Sequence, residues 1–97
     1  MKLISIIVPT HNEEKNILLF MSSFRYIFES LRSKYFFELL FINDGSNDNT
    51  LSEIYSVIDN NPDIDIKVID LSRNFGKEVA LTAGLNLCNG SCAVMLD

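Results

Sequence analysis

The feature that most constrains this chain is strict alternation: four short apolar runs are separated by three segments of helical periodicity, and the intervals between runs are too long for hairpins. Strands joined in that way must run parallel, through right-handed crossovers. The first run, Lys2 to Val8, is β-branched and almost continuously apolar, as a strand covered on both faces should be, and Pro9 is expected to stop it. Asn12 can cap a helix with Glu13 and Glu14 in its first turn and an apolar stripe of Ile17, Phe20, Met21, Phe24, Ile27, Phe28 and Leu31. Tyr35 to Ile42 gives strand two, and the turn-forming cluster Asn43 to Thr50 leads into a helix striped by Leu51, Ile54, Tyr55 and Ile58. Ile64 to Leu71 is strand three. The helix after Lys77 carries the small residues Ala80, Ala83 and Gly84 on one side, so it can lie close to a sheet, and Ser91 to Leu96 is strand four, delivering Asp97. The fold class is α/β, with a Rossmann-like parallel sheet covered by helices on both faces.

In such a sheet the residues just after each strand gather along one edge, where ligands bind. The polar residues fall there: Pro9-Thr-His-Asn-Glu13, Asn43-Asp-Gly-Ser46, Ser72-Arg-Asn74 and Asp97. Taken singly, Asn12, Asn47 and Asp48 read as helix caps, Gly45 as a turn residue and Glu14 as a solvated first-turn residue. Turn chemistry does not account for Asp44 at the exit of a buried strand together with Asp97 at the end of another. Neither a Gly-x-Gly-x-x-Gly after strand one nor a Walker-type Gly-x-x-x-x-Gly-Lys-Ser/Thr is present, so phosphates would not be cradled in either common way. Thirteen acidic against eight basic side chains, a net charge of −5, argue against nucleic acid as a partner. An acidic cleft holds a diphosphate only through a cation such as Mg²⁺ or Mn²⁺.

The remaining composition sets the context. Ninety-seven residues make one domain, with no repeat or linker. Cys88 and Cys92, with three residues between them and without a Cys or His cluster, are expected to be small reduced core residues. The sequence has no signal-like leader and no apolar span of membrane length, so a cytoplasmic location is expected.

Ile6-Ile-Val-Pro-Thr-His-Asn-Glu13, Phe41-Ile-Asn-Asp-Gly-Ser-Asn-Asp-Asn-Thr50, Ser72-Arg-Asn-Phe-Gly-Lys77 and Met95-Leu-Asp97 together resemble family 2 glycosyltransferases. The third motif, with Ala80-Leu81 and Gly84-Leu85, is similar in particular to the polyprenyl-phosphate sugar transferases, the bactoprenol glucosyltransferase and dolichol-phosphate mannose synthase group. The resemblance implies that residues 1–97 are the nucleotide-sugar-binding part of a glycosyltransferase-A domain, with sheet order 3-2-1-4, cut at its metal-binding motif. It implies a UDP- or GDP-hexose donor and, in the complete protein at the cytoplasmic face of the membrane, a lipid-phosphate acceptor.

Carried over position by position, the resemblance has Pro9 and Thr10 lining the base pocket and Glu13 bonding the ribose or base. Asp44 would accept from the base imide, and Ser46 is a further pocket residue. Arg73, Asn74 and Lys77 would close over base and phosphates, and Asp97 is the first aspartate of the metal-binding Asp-x-Asp, coordinating Mg²⁺ or Mn²⁺. No catalytic base is expected here, because a phosphate acceptor is already anionic. His11 stands where many relatives have Tyr or Phe, and reads equally as a stacking or packing ring and as a base contact. Two rival readings are a receiver-like binding module with Asp44 as phosphoacceptor, and a fragment that self-associates through exposed sheet edges.

Overall fold

The computed structural model describes residues 1–94; Met95, Leu96 and Asp97 lie outside the described residues. Its elements follow the expected order: β1 (Lys2–Thr10), α1 (Ile17–Leu31), β2 (Tyr35–Asp44), α2 (Thr50–Asn60), β3 (Asp65–Leu71), α3 (Lys77–Leu87) and β4 (Ser91–Val94). All pairings are parallel, and the sheet order is β3-β2-β1-β4.

Residue parity along the strands explains the layering. Ile6 and Val8 of β1 and Phe37, Leu39 and Phe41 of β2 point to one face, where Ile17, Met21, Phe24 and Phe28 of α1 and Ile54 and Val57 of α2 cover them. Phe37 meets the rings of Phe24 and Phe28 edge-on, and Phe41 meets Phe20 in the same way. Each such buried aromatic contributes about 2–3 kcal/mol by removal from water. Ile7, Leu40 and Ile42 point to the other face, where α3 packs through Ala80. Gly84 lets that helix approach: a Cβ there would stand 2.5 Å from Cγ2 of Ile7. Because β4 lies on the far side of β1 from β2, the chain reverses direction across the sheet after β3, and a crevice opens beside the end of β1.

Several local expectations are corrected. Pro9 does not stop β1, which continues to Thr10 and pairs Pro9 with Ile42; the fixed φ of proline is compatible with extended backbone. Likewise β2 runs on through Asn43 and Asp44. Helix α1 begins at Ile17 and has no acidic residue in its first turn, so Asn12 is not its cap and Glu13 and Glu14 precede it. Asn12 adopts a left-handed conformation, φ 53°, and spends its hydrogen bonds on a loop distant in sequence. Cys88 is half-buried beside the α3 core cluster and is disulfide-bonded, in place of the expected reduced thiol. The side chain of Cys92 lies outside the described residues.

Candidate functional site

Two loops zip together to form one wall of the crevice. From the β1–α1 loop the N–H groups of Asn12, Glu13 and Glu14 donate in turn to Ser46 Oγ (3.0 Å), Thr50 Oγ1 (2.8 Å) and Asp48 Oδ2 (3.3 Å), and Asn12 Oδ1 accepts from the N–H of Asn47 (2.8 Å). Asp48 also accepts from the N–H and hydroxyl of Thr50. Desolvation pushes the Asp48 carboxyl up, but these bonds outweigh it and hold the group below the usual carboxylate range. Asp48 and Thr50 are thus fully employed in bracing the wall. Glu13 Oε2 accepts from Asn16 Nδ2 at 2.8 Å.

The opposite wall is the β3–α3 loop, Ser72 to Gly76, and Asp44 fastens it. The residue is 4% exposed, and its two carboxylate oxygens accept from the N–H groups of Phe75 (2.8 Å) and Gly76 (3.0 Å), at the start of α3. The positive end of the helix dipole favours a carboxylate there. Gly45 is required beside it: its φ is +60°, and a Cβ would fall 2.2 Å from the backbone of both Arg73 and Asn74. Only glycine lets the two strand exits touch. Asn74 reaches back across the crevice to His11, its Nδ2 lying 2.9 Å from Nε2.

Between the walls lies a cavity of about 260 Å³ lined by Pro9, Thr10, His11, Glu13, Asp44, Asn74, Gly76 and Lys77. Six of the eight substrate-binding positions expected from sequence meet in it: Pro9, Thr10, Glu13, Asp44, Asn74 and Lys77. The other two do not. Ser46 and Arg73 line an adjoining polar cavity on the far side of Asn74, with Ser46 donating to Asn43 Oδ1 and the Arg73 guanidinium 4.7 Å above the Phe75 ring. Ser46 faces this way because its hydroxyl serves the loop–loop zipper. Asp97 lies outside the described residues. The cavity also takes in His11, left undecided between packing and base contact by the sequence, and Gly76, which the sequence did not single out; the available hint was a histidine within the polar exit of β1.

Asp44 is a poor phosphoacceptor in this setting, since both its oxygens already bind backbone amides inside the protein, and the receiver-like reading loses its key residue. The sequence matches the family described as Glycosyl transferase family 2 over residues 5–97. The chain belongs to this family. It is 45% identical over 96 residues to a prophage bactoprenol glucosyl transferase homolog of Escherichia coli K12, covering 97% of this chain and 29% of that protein. A mannosyltransferase from Pyrobaculum calidifontis, solved in complex with GDP-Man and Mn²⁺, superimposes with a TM-score of 0.79 at 26% identity over 90% of this chain and 24% of that one. Staphylococcus aureus TarS in complex with UDP-GlcNAc gives 0.72 at 25% identity, over 97% and 26% of the two chains. The chain spans about 28% of the length of other curated relatives it matches. The α/β fold is that of the first part of a glycosyltransferase-A domain.

Proposed function

We propose that this chain is the nucleotide-binding part of a glycosyltransferase that, as a full-length protein, moves a hexose from a UDP- or GDP-sugar to a polyprenyl phosphate with inversion. The observation that carries the reading is the convergence of the β1 exit, the β2 exit and the β3–α3 loop on one cavity bearing Glu13, Asp44, Asn74 and Lys77. The cavity suits a planar base; the adjoining polar space beyond Asn74 offers room for the rest of the nucleotide. Asp44 keeps lone pairs beyond its two amide bonds and can accept the imide N–H that uracil and guanine share. Glu13 is placed for a ribose or base contact, and Pro9 and Thr10 present backbone to the base. Lys77, in the first turn of α3, supplies positive potential for phosphate oxygens, with Arg73 at the neighbouring opening. The acidic residue expected to hold a metal is Asp97.

Among the described residues no cluster of three acidic, histidine or cysteine side chains could hold a metal. The donor chemistry fits a hard cation all the same: Mg²⁺ or Mn²⁺ takes oxygen ligands, which the carboxylate of Asp97 and the diphosphate oxygens would provide. Such a cation would stabilise the charge that develops on the departing diphosphate. The acceptor phosphate attacks the anomeric carbon as an anion, so the chain needs no general base of its own. No helix among the described residues is long and apolar enough to cross a membrane, and a lipid acceptor places the full-length protein at the cytoplasmic face of one.

Alone, the 97 residues bind nucleotide weakly and transfer no sugar, because positioning of both substrates supplies most of the rate. Calorimetry with UDP and with GDP in Mn²⁺ tests the first point. A saturable heat with either nucleotide is expected, and none at millimolar concentration would overturn the reading.

A further inference from the structure

His11 sits at the one point where all three cavity-forming segments meet, and its hydrogen bonds determine its ring state. Nδ1 lies 2.8 Å from the main-chain carbonyl oxygen of Asp44, which can only accept, so Nδ1 carries the proton. Nε2 is approached by two side-chain amides, Asn74 Nδ2 at 2.9 Å and Asn12 Nδ2 at 3.3 Å. The Asn12 amide is oriented by its other end, because Oδ1 accepts from the N–H of Asn47, and its Nδ2 must therefore face the ring. Nε2 is left bare and accepting. Nδ1 donates to the Asp44 carbonyl, and the ring is held from both sides. Asn74 Nδ2 also lies 3.1 Å from Nδ1; the near-equal distances set this amide over the ring and not on the axis of one nitrogen.

From this geometry we infer that His11 is a positioning residue for the nucleotide site: it holds Asn74, and through it the Ser72–Gly76 loop, across the cavity. The Asp44 carboxylate fixes the same loop at Phe75 and Gly76, so the loop is attached at two adjacent places by groups that leave β1 and β2. A phenyl ring could still face the Asn74 amide, but without Nδ1 nothing would tie that ring to the Asp44 carbonyl, so it would not hold Asn74 in place. The consequence for nucleotide affinity rests on the function proposed above; the consequence for the loop does not.

The two roles open to His11 give opposite rankings of variants. His11→Gln retains one donor for the Asp44 carbonyl and one acceptor for the amides, and loses the ring. His11→Phe retains a ring and loses both. If His11 positions the loop, His11→Phe speeds amide exchange at Phe75 and Gly76 by roughly tenfold, the worth of about one hydrogen bond. Exchange at Leu40, in the sheet core, stays unchanged, and His11→Gln stays near wild type. Affinity for UDP or GDP in Mn²⁺ follows the same order. A long-range ¹H–¹⁵N spectrum of the wild-type ring shows Nδ1 protonated and Nε2 bare.

Asn74→Ala, which leaves the histidine in place, should loosen the same two amides and provides the test should His11→Phe fail to fold. Unchanged exchange at Phe75 and Gly76 in the variants that fold overturns the inference, as does a ring protonated on Nε2. Nucleotide binding kept by His11→Phe but lost by His11→Gln would assign stacking instead. Wild-type protein that binds neither nucleotide defeats the proposed function, and the exchange data still decide the role of His11.

Discussion

Replacing Glu38 by glutamine should destabilise this protein strongly, and the size of the loss can be worked from the structure. Glu38 lies near the start of β2, is 1% exposed, and accepts from Ser5 Oγ (2.6 Å), Lys67 Nζ (2.6 Å) and both the N–H (3.1 Å) and the side-chain amide (3.0 Å) of Asn89. Ser5 Oγ in turn accepts from the N–H of Gly90, so the carboxylate ties β1, β3 and the α3–β4 turn to β2. Burial pushes its carboxyl up, but the donors from Lys67, Ser5 and Asn89 outweigh that and bring it from 4.5 down to about 2.

A depression of that size corresponds to about 3 kcal/mol of stability at neutral pH. The ammonium of Lys67 is half exposed, and solvent screening trims the figure to about 2–3 kcal/mol. Glu38→Gln removes the charge and turns a donor toward donors, so the urea midpoint at pH 7 should fall by roughly 1–3 M, given an m-value of about 1–2 kcal/mol/M. A carboxyl depressed by folding stabilises above its unfolded value and loses that contribution as pH falls through the folded one. The gap between wild type and variant should therefore be full at pH 6–7 and narrow progressively below about 4.5, since protonated Glu38 resembles glutamine. Circular dichroism during urea titration at pH 7, 5, 4 and 3 measures it. A gap under about 0.5 kcal/mol at pH 7, or one that does not narrow by pH 3, would refute the assignment.

Gly45→Ala should cost more than about 2 kcal/mol, because its Cβ would meet backbone on the facing loop at 2.2 Å and backbone cannot swing away; chemical denaturation measures the loss, and nucleotide calorimetry should show weakened binding. Gly84→Ala should also destabilise, by about 1–3 kcal/mol, although alanine is the better helix former, since the added methyl meets the Ile7 side chain 2.5 Å away; a thermal midpoint at or above wild type would show that Ile7 yields freely.

The order of elements, the parallel sheet and both core faces were legible because they follow from periodicity, which is a property of neighbouring residues. What escaped sequence reasoning was long-range. Asn12 looks like a cap because caps are local, yet its backbone and side chain bond Ser46 and Asn47, more than thirty residues on. Glu38 interrupts an apolar run without announcing that Lys67 and Asn89 will close around it. The site divides in the same way. Positions at strand exits were recoverable from topology, and six of the eight substrate positions meet in the cavity; Ser46 and Arg73 fall into the adjoining one because their directions depend on contacts between loops that no spacing encodes.

Glu38 and Asp44 share one strand, one face of the sheet and nearly complete burial, roughly 20 Å apart, and the difference in how each is neutralised bears on function. Glu38 is met by an ammonium, which cancels its charge and makes it a fastener. Asp44 is met by two backbone amides, which supply hydrogen bonds and the dipole of α3 but no whole positive charge. The cavity therefore keeps a negative floor, with Glu13 beside it, while the cationic groups stand at the rim: Lys77 on α3 and Arg73 at the neighbouring opening. A neutral base bearing an N–H is welcome on such a floor, and a diphosphate is repelled from it. On the proposed function, this charge pattern would sort the two halves of a nucleotide diphosphate, base inward and phosphates toward Lys77 and Arg73.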